Sequence, residues 1–253
     1  MITSLLIKLH EGSPLTQEEQ ELVYKTTGNH NVSVAEAVAL YLWSSESQPI
    51  QEQLKYGNTY QYVSNVLDAL AMQMYYLTPD GDEIRFVIES LQNVCYADKS
   101  LAELYEYGRR IAPNAKMAVS ICAAIRKIHI AVNATSTIQK LCSAIQKNST
   151  DKPLTVYRAL KRPVDSREVI SRGLMSASRS EETSFAKYEE YQTVLKVHIP
   201  AGTPCVNVEP FSVYDTVEAE LLFPPNVIRI TEQENRGDRM YLTGIMEILD
   251  EFS

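Results

Sequence analysis

Two acids lie two positions apart in the otherwise apolar stretch Val217-Glu218-Ala219-Glu220-Leu221-Leu222-Phe223-Pro224-Pro225. If this stretch is a β-strand, Glu218 and Glu220 point to the same face, because successive side chains alternate between the two faces of a strand. Ala219 and Leu221 would then be buried on the opposite face. The acidic face must look either into solvent, as on an edge strand, or into a cleft that needs negative charge.

Proline usage and hydrophobic spacing divide the chain near residue 150. Seven of the eleven prolines follow that residue, and the sequence there breaks into short runs rich in Val, Ile, Leu and Tyr, which are typical of strands. The predicted strands are Leu154–Leu160, Gly173–Ser178, Thr193–Ile199, Glu218–Phe223, Val227–Thr231 and Met240–Leu249. No helix of useful length separates most of them, which favours an antiparallel or mixed arrangement over a parallel sheet.

The first 150 residues are predicted to be helical. Thr16 with Glu19, and Ser33 with Glu36, have the Ser/Thr-x-x-Glu spacing that is typical of helix starts. An amphipathic helix is predicted where apolar residues recur at three- and four-residue intervals, at Tyr62, Val63, Val66, Leu67, Leu70 and Met74. Further helices are expected from about residue 82 to 107 and from 115 to 146.

Composition indicates an ordinary globular protein, with 45% hydrophobic and 22% charged residues among 253. The net charge of −8 argues against binding duplex nucleic acid through a broad basic surface. Four cysteines and four histidines are scattered, so we expect reduced thiols and no metal site. No run approaches a membrane span and the start lacks a signal-peptide pattern, so action in a cytoplasm is expected; export without a cleaved signal stays open.

Two of the predicted strands carry polar residues that packing does not require. Arg158 lies within an apolar run, and an arginine there needs an anion or a carboxylate, unless its guanidinium reaches the surface. Ser176 and Ser178 would share one face of the following strand and leave space for a ligand. Serines at a strand end are also common in ordinary turns.

Three short motifs, taken in order, resemble those of a known enzyme family. They are Tyr157-Arg158, Ser176-Ala177-Ser178 and Glu218-Ala219-Glu220. The arginine-serine-glutamate class of mono-ADP-ribosyltransferases has Arg, Ser-Thr-Ser and Glu-x-Glu in this order. The likeness is strongest from about residue 154 to 249 and weaker back to about residue 34. Ala177 stands where many members have threonine, and bacteriophage members are similar in using alanine there.

The resemblance implies an α+β fold, in which an N-terminal helical region packs on two antiparallel β-sheets that enclose a cleft for NAD. It implies a helical extension at residues 1–33 and an ADP-ribosyltransferase domain at residues 34–253. That domain would be helical to residue 150 and strand-rich from residue 151. NAD would be the co-substrate, held without the Gly-x-Gly-x-x-Gly motif that this chain lacks.

The resemblance also implies how the site handles NAD. Glu220 would stabilise the oxocarbenium-like state that forms as the bond between ribose and nicotinamide breaks. Ser176 would hydrogen-bond Glu220 and hold its orientation, with Ser178 a further NAD contact. Arg158 would bind the phosphate and ribose region, since a planar cation with several donors suits phosphate oxygens. Phe185 would lie against the nicotinamide ring.

Glu-x-Glu accompanies arginine modification in this family, so Glu218 is expected to orient the acceptor guanidinium and to withdraw its proton. Tyr214 and Asp215 are candidate contacts to the target protein, and Arg179 and Tyr188 to the dinucleotide. The implied activity is transfer of ADP-ribose from NAD to an arginine of a protein, of a host cell if the chain is a toxin or phage effector. The alternatives are an NAD glycohydrolase and a non-catalytic binding module on a degenerate transferase scaffold.

Overall fold

A computed structural model of the chain describes residues 2–77, 80–96, 99–161, 163–164, 166–182, 192–213, 219–237 and 239–249. The chain is mixed α and β, so the predicted α+β class is confirmed. It forms two compact units, one of Met1–Val23 and Ser45–Gln139, the other of Tyr24–Ser44 and Lys140–Ser253.

Nine helices lie within the described residues. They are α1 (Ile2–His10), α2 (Gln17–Asn29), α3 (Val34–Ser45), α4 (Ser47–Tyr56), α5 (Tyr60–Leu77), α6 (Gly81–Val94), α7 (Leu101–Ile111), α8 (Ala115–Val132) and α9 (Ala134–Gln146). Both predicted helix starts are confirmed by reciprocal capping bonds. The Glu19 amide donates to Thr16 Oγ1 and the Thr16 amide to Glu19 Oε2, and Ser33 and Glu36 repeat the arrangement at α3.

The first unit has its own apolar core, to which α5 contributes the predicted stripe. Tyr62, Val63, Leu67, Leu70 and Met74 are buried there, and Val66 packs against them. Buried residues of α6, α7 and α8 complete this core. The stripe prediction is therefore confirmed.

The prediction of two long helices after residue 80 was wrong, because each contains a break. Ser100 and Glu103 form a capping box that starts α7, so the helix predicted from 82 to 107 is two helices. Asn133 separates α8 from α9, since its side-chain amide donates to the His129 carbonyl at 2.9 Å. No single described helix is long and apolar enough to cross a bilayer; only α8 and α9 together, bent by 62°, meet that criterion.

Eight strands lie within the described residues of the second unit. They are β1 (Leu154–Leu160), β2 (Glu168–Ser171), β3 (Met175–Ser178), β4 (Thr193–Ile199), β5 (Val206–Asn207), β6 (Glu220–Phe223), β7 (Asn226–Arg236) and β8 (Arg239–Ile248). The predicted bounds of the first and third strands match β1 and β4. β2 and β5 were not predicted, because at four and two residues they are too short to show alternation.

Hydrogen bonds join these strands in one order, β2-β7-β8-β4-β1-β3-β6-β5, whereas two antiparallel sheets were expected. β1 and β3 share a single residue pair, Tyr157 with Ser178, while β1 and β4 are paired along their full length. The sheet is thus weakest between β1 and β3, where a five-strand part meets a three-strand part. β4 and β8 run parallel, because the long chain between them includes three other strands and returns in the same direction.

One face of the sheet carries the core of the second unit. Buried side chains from six strands meet there, including Val156, Ala177, Leu195, Leu221 and Phe223. Alternation therefore sends Ser176, Ser178 and Glu220 to the opposite face.

Candidate active site

The candidate site is built on β3 and β6, which pair antiparallel in the three-strand part of the sheet. The register sets Ser178 opposite Glu220 and Ser176 opposite Leu222. Residues that face each other across an antiparallel pair share one face of the sheet. The structure therefore brings both predicted serines onto the face of Glu220.

Ser178, rather than Ser176, lies directly across from Glu220. Directly opposed residues have Cβ atoms about 5 Å apart, whereas diagonal neighbours are about 7–8 Å apart. The orientation of Glu220 by Ser176 stays a prediction, and the register makes Ser178 the nearer serine. Ser178 Oγ accepts a hydrogen bond from the Ser180 amide at 2.9 Å, and a serine hydroxyl that accepts can still donate its own hydrogen.

Arg158 reaches β3 from the neighbouring strand. Its Nη1 donates to the main-chain carbonyl of Ser176 at 3.3 Å. The register pairs Arg158 with Leu195 of β4, whose side chain is in the sheet core, whereas Tyr157 is the β1 residue opposite Ser178. The register therefore places Arg158 on the core side of the sheet, opposite to the face of Glu220, and its guanidinium contacts β3 at the main-chain carbonyl of Ser176.

The strand that carries Glu220 begins at that residue, whereas the sequence predicted a start at Glu218, which lies outside the described residues. Ala219 has a φ of 48°, in the left-handed region that residues other than glycine rarely adopt. Two main-chain bonds hold this conformation, from the Arg179 amide to the Ala219 carbonyl and from the Val208 amide to the Glu220 carbonyl. Because the strand geometry stops here, alternation does not fix the direction of Glu218. Strained backbone of this kind is concentrated at functional sites.

Trp43, which sequence analysis did not assign to the site, contacts the Glu220 carboxylate. Its Nε1 donates to Glu220 Oε1 at 3.2 Å, and its side chain is buried on α3. Trp43 is the single tryptophan of the chain. A buried indole N–H needs an acceptor, so a lone tryptophan in an apolar helix was the available signal, although it does not name the acceptor.

The residue after Trp43 contacts the chain on the other side of the acidic motif. Ser44 Oγ accepts a hydrogen bond from the Val213 amide at 3.1 Å and donates to the Tyr41 carbonyl at 2.9 Å. The last turn of α3 thus contacts Val213 and Glu220, the residues on either side of 214–219.

Arg179 follows the serine strand, and its side chain is engaged away from Glu220. Its Nη2 lies 3.3 Å from Glu209 Oε2. It also lines a cavity of about 440 Å³ together with Leu221, whose side chain is on the core face of the sheet. The structure does not bring the Arg179 guanidinium together with the Glu220 carboxylate.

The remaining predicted site residues lie outside the described residues. They are Phe185, Tyr188, Tyr214, Asp215 and Glu218. Their assignments stay predictions from the sequence.

The described arrangement can perform one chemical task directly. Glu220 is half-buried, and its carboxylate is held by a directed donor on a buried ring. A carboxylate fixed in this way stabilises positive charge that develops on a neighbouring group, without reorganising as the charge appears. No group of three or more His, Cys, Asp or Glu side chains in the described part of the chain could hold a metal ion.

Residues 124–235 match the family model described as ADP-ribosyltransferase exoenzyme. Among solved structures, the chain is similar to C3stau2 from S. aureus, solved with NAD, with a TM-score of 0.50 and 13% identity over 90% of this chain and 95% of that one. It is also similar to Plx2a, an ADP-ribosyltransferase toxin from Paenibacillus larvae, with a TM-score of 0.49 and 13% identity over 90% and 96% of the two chains. At this identity the C3stau2 likeness concerns the fold. No curated protein sequence matches the chain.

Proposed function

We propose that this chain, of which residues 124–235 match the ADP-ribosyltransferase exoenzyme family model, transfers ADP-ribose from NAD to an arginine of a target protein. Nicotinamide is the leaving group. We place the domain at residues 34–253, with residues 1–33 as a helical extension. NAD binds as co-substrate, in line with the C3stau2 structure, which was solved with NAD.

The observation that carries this proposal is the carboxylate of Glu220, set on β6 across from Ser178 and fixed by Trp43. Positive charge develops on the ribose as NAD is cleaved, and a carboxylate fixed beside the ribose stabilises this transition state. A carboxylate also accepts a hydrogen bond from the ribose 2′-hydroxyl, and this bond strengthens as the ribose becomes cationic. Glu220 is a carboxylate with a fixed position, so it suits both the stabilisation of the charge and the hydrogen bond to the 2′-hydroxyl.

The supporting residues follow from the same arrangement. Ser178 and Ser176 share the face of Glu220, so either hydroxyl can orient the carboxylate, and the register favours Ser178. Arg158 supplies a cation for the phosphates of NAD, as the resemblance of the motifs implies; its guanidinium contacts the serine strand at the Ser176 carbonyl. Phe185 covers the nicotinamide ring, as the resemblance of the motifs implies.

The arginine acceptor rests on the Glu-x-Glu motif. A guanidinium is almost fully protonated in water and is a poor nucleophile. Transfer to it therefore needs a carboxylate that orients the guanidinium and accepts its proton as a general base. Glu218, two residues before Glu220, has this task. The target is a protein, of a host cell if the chain is delivered or expressed there, and the site of action is cytoplasmic.

Transfer of labelled ADP-ribose from NAD into the proteins of a cell lysate tests the proposal. We expect labelling by the parent protein and a loss of at least about a hundredfold for Glu220→Gln, because the amide removes the charge that stabilises the transition state. Equal labelling by the two proteins would refute the proposal. Nicotinamide release without labelled protein would identify an NAD glycohydrolase. Calorimetry that shows no NAD binding, together with a stable protein complex, would identify a binding module.

A further inference from the structure

We propose that Trp43 is a positioning residue for this reaction, whose indole N–H holds the Glu220 carboxylate in the orientation that NAD cleavage needs. The inference rests on the proposed function, because the orientation of Glu220 affects the rate only if Glu220 acts on NAD. Trp43 lies 177 residues before Glu220, outside all three sequence motifs.

The hydrogen bond from Trp43 to Glu220 runs in one direction, from the indole N–H to the carboxylate. An indole N–H only donates, so its partner oxygen must present a lone pair. The Nε1–Oε1 distance of 3.2 Å is within hydrogen-bonding range, and the Trp43 side chain is only 4% exposed. A ring packed this closely cannot swing away with the carboxylate, so it restricts where Oε1 lies.

The helix that carries Trp43 is itself anchored within the second unit. Near its start, Glu36 Oε1 accepts hydrogen bonds from Lys147 Nζ and Ser143 Oγ, both at 2.6 Å. At its end, Ser44 Oγ accepts a hydrogen bond from the Val213 amide. Trp43 is therefore held between two fixed points, which is what a residue needs in order to position another.

The expected kinetic effect follows from what Trp43 contacts. It touches the carboxylate, which acts in the transition state, so its loss lowers kcat and leaves the KM for NAD nearly unchanged. A catalytic group misplaced by about 1 Å costs on the order of a hundredfold in rate. We expect Trp43→Phe, which keeps a buried ring and removes the N–H, to lower kcat by about 10- to 100-fold.

Two measurements test the proposal, and the first requires no activity. Because the chain has one tryptophan, ¹⁵N-tryptophan labelling gives a single indole N–H peak, which reports the contact with Trp43 intact. We expect Glu220→Gln to move this peak and Glu209→Gln, an acid paired with Arg179, to leave it in place. The second measurement is the kcat and KM of nicotinamide release for Trp43→Phe, with Tyr41→Phe as the control. Tyr41 is a buried aromatic residue on the same helix, and the substitution likewise removes one polar group.

The outcomes separate this inference from the proposed function. An indole peak whose chemical shift is the same in Glu220→Gln as in the parent protein overturns the positioning role, even if Trp43→Phe proves too unstable for kinetics. Loss of activity in Glu220→Gln with full activity in Trp43→Phe overturns the positioning role alone. Full activity in Glu220→Gln overturns both. A moved peak together with a lower kcat and an unchanged KM supports the inference.

Discussion

The buried carboxylate of Glu36 allows a prediction of stability and its pH dependence. Glu36 Oε1 accepts bonds from Lys147 and Ser143, and Oε2 accepts the Ser33 amide at 2.7 Å. The residue is 3% exposed. We expect Glu36→Gln to lower the free energy of unfolding at neutral pH, because the amide loses the charge that these donors stabilise.

The magnitude follows from the pKa of Glu36. Burial by itself would raise it, but the bonds from Lys147, Ser143 and the Ser33 amide outweigh burial and lower the pKa from an ordinary 4.5 to about 2. At about 1.4 kcal/mol for each tenfold change, this is worth about 3 kcal/mol at pH 7. Because the folded pKa is the lower one, the contribution is complete above pH 4.5 and is lost as pH falls from 4.5 through 2.

Urea unfolding of the parent protein and Glu36→Gln measures this contribution as a difference, so other titrating groups cancel. We expect a difference of up to about 3 kcal/mol at pH 7 and less than half of it by pH 3. Glu103→Gln is the matched control, because Glu103 holds the same place in the capping box of α7 but is exposed. Its effect should be much smaller.

Two results would refute this reasoning. A difference that stays constant from pH 7 to pH 3 would mean that the charge of Glu36 is not what stabilises the fold. Equal effects of Glu36→Gln and Glu103→Gln would mean that only the capping geometry matters, and that Lys147 and Ser143 add nothing.

Three further predictions concern the site and the sheet. Glu218→Gln should keep nicotinamide release and lose arginine labelling; equal loss of both in a folded variant contradicts the division of tasks. Ser178→Ala should lower kcat about tenfold and more than Ser176→Ala does, because Ser178 is directly opposite Glu220; the reverse order in nicotinamide-release assays refutes the register argument. Gly244→Ala should cost about 1–3 kcal/mol in urea unfolding, because its Cβ would lie 2.8 Å from a main-chain carbonyl of β7. Gly28→Ala should not lower the free energy of unfolding, because a Cβ there meets no atom within 4 Å. Equal losses of unfolding free energy in the two variants would contradict the packing argument.

Local patterns predicted much of the fold, because they act over a few residues. Alternation and turn residues gave β1 and β4 to the residue, and two capping boxes marked the starts of α2 and α3. The same rule applied at Ser100 and Glu103 would have marked the start of α7. The order of the strands was beyond reach, since the parallel β4–β8 pair joins segments separated by three other strands.

Motif order and register carry different information about the site. The ordered motifs identified β3 and β6, but spacing along the chain cannot say which serine faces the acid. That depends on a pairing in which a one-residue slip would turn each side chain to the other face. The strand assumption also failed at Ala219, whose left-handed φ is invisible in a sequence that offers no glycine there.

Trp43 marks the limit of what motifs can find in this site. Its partner is 177 residues away, and its own neighbours look like the core of any buried helix. The physical signal was a donor without a local acceptor, because a buried indole N–H left unpaired is costly. Glu220 poses the converse problem, as a carboxylate at the end of an apolar strand that needs a directed donor. The indole N–H of Trp43 needs an acceptor and the carboxylate of Glu220 needs a donor, so each residue satisfies the other. Both requirements are local, but only the fold brings the two residues together.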